Sequence, residues 1–219
     1  MPPARRLPSR QAAARALAAA GRSFYARGWV LGTSGNFSAV IGRTPLRLLI
    51  TPSGAHKGTL DARAFLQIDG QTRVCGPAAG RPSAEARLHL AIVAERAAGA
   101  VLHTHSVWST VLSDRCATDG WLDLTGFEML KGLAGVNTHT HHERVPILPN
   151  DQDMTRLAGS ITETLRAHPG AHAFLLERHG LYTWGASIDE AARHVEILEF
   201  LLEAESRRLG CGEPPMGAR

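Results

Sequence analysis

The run Ala100-Val101-Leu102-His103-Thr104-His105 constrains the fold of this chain more than any other segment. It follows Gly99, which stops a helical pattern, and its uninterrupted apolar residues read as a buried strand. A buried strand must be covered on both faces, so the chain has to build layers around it. Side chains at i and i+2 of a strand share a face, so the two imidazoles can reach one metal ion. Zinc accepts imidazole readily, and catalytic zinc takes three protein ligands and keeps one position open. Two histidines that only hydrogen-bond at a strand end are the plainer alternative.

Around this strand the pattern predicts a helix over Ser9 to Arg27, closed by Gly28. Short strands follow at Phe37 to Ile41 and Arg47 to Ile50, around Thr44-Pro45. Phe65 to Ile68 reads as another strand, and Asp69-Gly70 as a hairpin turn into Thr72 to Cys75. Helical spacing covers Ser83 to Ala98 and, briefly, Val107 to Leu112, with a further helix beginning near Phe127. Strands at Val145 to Leu148 and Ala173 to Leu176 flank a helix from Met154 to Arg166. Ser187 caps a long last helix to about Leu209. Strands joined as hairpins outnumber simple βα alternation, which predicts a three-layer α/β/α domain with a mostly antiparallel sheet. We expect one domain over residues 9–209, with loose termini at 1–8 and 210–219. No GxGxxG follows a strand and no segment has the Walker pattern, so dinucleotide and nucleoside triphosphate sites are not expected.

A third metal ligand must come from elsewhere. His179 directly follows the strand Ala173 to Leu176 and precedes Gly180, which lets the backbone turn closely. The cluster His139, His141 and His142 is the alternative, in a polar stretch where solvated loop histidines are the ordinary outcome. Position favours His179. Three small-residue segments could hold an anion: Gly32-Thr33-Ser34-Gly35-Asn36, Thr51-Pro52-Ser53-Gly54, and Pro82-Ser83 before a helix. Glycines let backbone N–H groups approach phosphate oxygens, and a helix start adds more donors. Singly, each reads as a surface turn. Two glutamates, Glu85 and Glu128, are candidates for proton transfer, and residue physics alone does not choose between them.

The formal charge of +4 raises the possibility of nucleic acid, but the arginines are scattered and aromatic residues are only 5%, too few for base stacking. An enzyme for an anionic metabolite accounts for the same charge. No apolar run is long enough to span a membrane, and no apolar export segment follows the basic start. Cys75, Cys116 and Cys211 form no CxxC, and an odd number cannot all pair, so they read as reduced thiols of a cytoplasmic protein.

Taken in order, Gly32 to Asn36, Thr51 to Gly54, Pro82-Ser83-Ala84-Glu85, His103-Thr104-His105 and His179-Gly180 resemble the class II aldolase and adducin superfamily. The resemblance runs from about Ala12 to Glu205. It implies the class II aldolase-like fold, one zinc on His103, His105 and His179, and a phosphate held by Ser34, Gly35, Asn36, Ser53, Gly54 and Ser83. Glu128-Met129-Leu130-Lys131-Gly132, Asn150-Asp151-Gln152-Asp153 and Arg178 to Gly185 are similar to the dehydratase branch of methionine salvage. That likeness implies loss of water from 5-methylthioribulose 1-phosphate to give 2,3-diketo-5-methylthiopentyl 1-phosphate. It makes Glu128 the general acid/base, whereas Glu85 matches the glutamate with that duty in sugar-phosphate aldolases. Ala84 stands where the aldolase pattern has a second serine. A homotetramer with sites near subunit boundaries is also implied. An aldolase acting on a related sugar phosphate and a non-catalytic adducin-like module are the rival expectations; the latter lacks the metal histidines.

Overall fold

The computed structural model describes residues 7–76 and 80–210. The expectation of loose termini therefore falls largely outside the described residues. Eight strands form one sheet: β1 Asn36–Arg43, β2 Leu46–Ile50, β3 Leu66–Ile68, β4 Ala100–Thr104, β5 Trp121–Leu124, β6 Glu143–Leu148, β7 Ala173–Leu176 and β8 Gly180–Gly185. Their order is β3-β2-β1-β4-β8-β7-β6-β5, and only β6 and β7 run parallel. Five helices cover it: α1 Arg10–Ala26, α2 Ala86–Arg96, α3 Val107–Arg115, α4 Met154–Ala167 and α5 Ile188–Gly210.

The three layers follow from the two-residue period of the strands. Val101, Phe174, Leu176, Tyr182 and Trp184 pack on one face with Leu88 and Ile92 of α2 and Leu157 and Ile161 of α4. Their sequence neighbours turn the other way. Ala173, Leu175 and Leu181 meet Leu112 of α3 and Leu198 and Leu202 of α5. Phe37, Ala39 and Leu102 meet Leu17 of α1 and Val195 of α5. The strand β4 sits mid-sheet between β1 and β8, with all five of its residues buried. The predicted layered α/β architecture with a mostly antiparallel sheet is what the chain forms.

Several local expectations are corrected. Thr72 to Cys75 is no strand; a single bridge joins Ile68 and Val74. The turn itself forms as expected: the Asp69 carboxylate accepts from the N–H groups of Gln71 and Arg73, and the Cys75 N–H donates back to the Gln67 carbonyl at 2.7 Å. The helix expected from Ser83 begins at Ala86, because the Ser83 carbonyl and hydroxyl are used in a turn that receives the N–H groups of Ala86 and Glu85. Near Phe127 the chain makes only a 3₁₀ turn, Glu128–Gly132, with glycines at 132 and 135 weakening any longer helix. Two strands escaped the sequence pattern. β5 has four residues, and β8 is buried along its whole length, so neither shows clear alternation.

Candidate metal centre and active site

The C-terminal end of β4 meets the N-terminal ends of β1 and β8 at one edge of the layers, and the chemistry-bearing residues gather there. His103 pairs in register with Asn36 of β1 and Tyr182 of β8. Its ring is fully buried and stacks on Tyr182, with centroids 3.8 Å apart. Its Nδ1–H donates to the Leu181 carbonyl at 2.9 Å, so Nε2 carries the lone pair that faces the site. His105 leaves the strand with its backbone N–H held by the Trp29 carbonyl, and its Nε2 lies 2.7 Å from that of His103. His179 comes from the turn between β7 and β8, its Nε2 3.4 Å from His103 Nε2.

That turn is strained on purpose of position. Arg178 has φ +52°, unusual for a side-chain-bearing residue, and its N–H is received by Ser113 of α3 while its guanidinium pairs with Asp114. At Gly180 an added Cβ would lie 2.1 Å from the Thr104 carbonyl oxygen, so only glycine lets β8 come this close to β4. Gly35, at φ +72°, has the same duty on the other side, where a Cβ would meet the His103 carbonyl at 2.6 Å.

The ligand atoms of His103, His105 and His179 all lie within 4.8 Å of one another. Burial, and then the neighbouring imidazoles, push the His103 pKa well below its ordinary value. Burial, with His179 and then Lys57, lowers His105 to about 4. Burial also lowers His179, against the opposing charge of Glu85. All three are therefore neutral near pH 7 and offer nitrogen lone pairs, and His179 Nδ1 is buried with no hydrogen-bond partner. Such a donor set fits one divalent cation. The predicted triad is thus brought together, and His179 rather than the 139–142 cluster completes it. That cluster is divided: His139 lies 3.9 Å from Glu128, while His141 joins Glu143 and His172.

Of the two glutamates, one enters the site. Glu85, at the N-cap position of α2, lies 3.4 Å from His179 Nε2 and 3.6 Å from His103 Nε2. It accepts a hydrogen bond from the Asn36 amide. A relay fixes that amide. His89 is fully buried and held neutral, near pKa 3, by burial. Since Asn36 Oδ1 can only accept, His89 Nε2–H donates to it, and His89 Nδ1 accepts from the Ser38 hydroxyl at 2.7 Å. The Asn36 amide is left pointing at Glu85 and Ser83. Glu128 stands apart. Its side chain is 72% exposed, pairs with Lys131 at 2.6 Å, and is held below the usual carboxylate range by that hydrogen bond.

A cavity of about 510 Å³ opens beside the histidines. Its wall includes Ser34, Gly35, Asn36, Ser53, Gly54, Ser83 and Glu85, so the three small-residue segments do converge. The Pro52–Pro82 bridge and the Ser53 N–H to Arg81 carbonyl bond hold the second and third segments together. Sequence reasoning missed Lys57, Asn150, Gln152 and Met154 in the same wall, and His89 and Tyr182 behind it. Two signals were available: Asn36 and Ser38 share a strand face, and His89 lies one helical turn beyond Glu85. Lys57 carried none, because a lone lysine in a polar turn reads as solvated.

The profile of the Class II Aldolase and Adducin N-terminal domain family matches residues 15–206. The methylthioribulose-1-phosphate dehydratase of Sorangium cellulosum is 43% identical, over 83% of this chain and 85% of that protein. The enzyme of the same name from Methylococcus capsulatus is 46% identical, over 87% and 91%. Among solved structures, the L-fuculose-1-phosphate aldolase of Thermus thermophilus aligns over 94% of this chain and 100% of its own, with 25% identity and a TM-score of 0.72. YgbL of Klebsiella pneumoniae aligns over 90% and 89%, with 27% identity and a TM-score of 0.74. The chain belongs to the class II aldolase and adducin N-terminal domain family.

Proposed function

We propose that this chain is a zinc-dependent hydro-lyase of methionine salvage that dehydrates 5-methylthioribulose 1-phosphate to 2,3-diketo-5-methylthiopentyl 1-phosphate. The observation that carries the reading is the meeting of three neutral imidazoles and one carboxylate at the edge of a cavity with a hydroxyl- and glycine-rich wall. The dehydratases to which the chain is 43% and 46% identical supply the substrate.

His103, His105 and His179 would hold the zinc, which, when bound, acts as a Lewis acid on the C2 carbonyl and so acidifies the C3 proton. Ser34, Asn36, Ser53 and Ser83, with the backbone at Gly35 and Gly54, receive the phosphate. Glu85 takes the C3 proton, its carboxylate kept in place by the Asn36 amide. The electron pair left at C3 forms the C3–C4 double bond as the C4 hydroxyl departs, protonated, as water. The enol so formed gains a proton at C4 and releases the one on its C3 oxygen to solvent, becoming the 2,3-diketone. Glu128 supplies the proton to the departing hydroxyl. It lies outside its own cavity and is exposed, so we assign its action to a neighbouring copy's site within a homotetramer. No helix among the described residues is long and apolar enough to cross a membrane, and we assign the enzyme to the cytoplasm.

Solvent deuterium exchange at C3 separates the two proton transfers. We expect Glu85→Gln to lower both exchange and turnover by about 10²–10⁴-fold, the usual range for a lost acid–base group. Glu128→Gln should keep exchange while diketone formation falls over a similar range. Normal exchange in Glu85→Gln with lost exchange in Glu128→Gln would reverse the assignments.

A further inference from the structure

The cavity must hold a phosphate, yet hydroxyl and backbone donors alone leave a dianion without a compensating charge. Among the described residues of its wall, only one is a lysine or arginine, and that residue is Lys57. The three-residue 3₁₀ turn Lys57–Thr59 sits against α1, and the Lys57 side chain turns inward, only 1% of the residue exposed. Its Nζ donates to the Thr33 carbonyl at 3.0 Å and to the Ala55 carbonyl at 2.7 Å. Thr33 belongs to the first glycine-rich segment, and Ala55 directly follows the second. One ammonium group thus joins the two loops on which the phosphate reading rests.

An ammonium has three N–H donors, and the two carbonyls use two of them. Neutral carbonyls only partly offset the cost of burying a charge, and burial lowers the Lys57 pKa to about 8 even against the opposing pull of the Glu85 carboxylate. The cost of keeping a cation here is met if an anion arrives beside it, because a charge-assisted hydrogen bond is stronger than a neutral one. We propose that Lys57 is a phosphate-binding residue: its two carbonyl bonds set the spacing of the loops, and its third N–H reaches a phosphate oxygen in the cavity. The proposal rests on the reading that these loops hold the substrate phosphate.

The test titrates the metal-loaded protein with inorganic phosphate by calorimetry, comparing wild type with Lys57→Met, Lys57→Arg and Ser83→Ala, with bound metal measured for each. Lys57→Met should weaken phosphate binding about 10- to 100-fold, the span expected for one hydrogen bond to a charged group. Lys57→Arg should recover part of the loss, and metal content should stay that of wild type in both. Wild-type phosphate affinity in Lys57→Met, with weakened affinity in Ser83→Ala, would overturn the proposal and leave the loop reading intact. Unchanged affinity in both would remove the loop reading, and the proposal with it. Loss of metal together with phosphate in Lys57→Met, uncorrected by Lys57→Arg, would reduce Lys57 to a structural tie. A measurement on the unaltered protein guards against a variant that fails to fold. The Lys57 side-chain ¹⁵N resonance should shift when phosphate is added, and an unmoved resonance contradicts direct contact.

Discussion

Two histidines of the triad are held from behind before any ligand arrives. His103 spends its Nδ1–H on the Leu181 carbonyl and stacks on Tyr182, and His105 is fixed through its backbone to Trp29. Such outer contacts set which nitrogen faces a metal and how the ring is oriented. His179→Ala should therefore remove most of the bound zinc, about one ion per chain in the unaltered protein. His141→Ala should leave the zinc in place, because its partner is Glu143 and not the triad. Metal analysis of the two purified variants checks both outcomes. At this scale the sequence was informative where side-chain period was informative. His103 and His105 share a face because strands repeat every two residues, and His179 is marked by a strand before it and a glycine after it. The hydrogen-bond relay from Ser38 through His89 to Asn36 was hidden, since it joins β1 to α2 across 51 residues for its first link. Lys57 was hidden for a different reason: its burial depends on how a short turn docks against α1.

The elements matter chiefly through how closely their ends approach. Strand β8 can lie against the end of β4 only because residue 180 has no side chain. Gly180→Ala must push Thr104 and the His179 turn apart, and we expect a stability loss of about 1–3 kcal/mol, the usual cost of overpacking, with weaker metal binding. Denaturant titration and metal competition measure the two effects. Helix α3 begins directly after His105, and the Ser106 hydroxyl caps it by accepting from the Ser109 N–H at 3.0 Å. Ser106→Ala should cost about 0.5–2 kcal/mol by loss of that cap, read from the urea midpoint of the metal-free protein. The long helices and most strands were legible because their apolar faces repeat over many residues. β8 was not, for its buried run reads equally as a turn or a strand. The expected turn at Asp69-Gly70 does bring the chain back, with the Asp69 N–H donating to the Arg73 carbonyl and the Cys75 N–H to the Gln67 carbonyl, but the pairing stops at one bridge and Thr72 to Cys75 makes no strand.

Across the whole molecule, the two ends of the sheet have different duties. The catalytic end carries neutral histidines, while the opposite end of β7 carries a charged pair. His172 Nδ1 donates to the buried Glu143 carboxylate at 2.8 Å, and its Nε2 donates to the Ala134 carbonyl at 2.8 Å. Both nitrogens donate, so the ring is cationic. Burial opposes this, but the Glu143 partner wins and the His172 pKa is raised. Burial likewise opposes the Glu143 charge, but its histidine partners hold its pKa below the ordinary value. A raised histidine pKa stabilises the fold at pH below the unfolded value of about 6.5 and loses that contribution as pH climbs through the folded value. A lowered glutamate pKa works in reverse, losing its contribution as pH falls through the folded value. The stability gap between wild type and His172→Gln should thus be widest in mildly acidic solution and narrow as pH rises above neutral, as thermal melts across pH would record. The hairpins β1–β2 and β7–β8 join neighbours in sequence, but the central β1–β4 and β4–β8 pairings join segments far apart, which is why layer count was legible and strand order was not.

We infer that this site removes water from its substrate and leaves the carbon chain whole. The direct measurement incubates the zinc-loaded protein with 5-methylthioribulose 1-phosphate and identifies the products by mass spectrometry. We expect a single phosphorylated product lighter than the substrate by one water, with the ultraviolet absorbance of a 2,3-diketone or its enol. Release of an aldehyde and a shorter phosphorylated ketone, or no product from fully zinc-loaded protein, would contradict it.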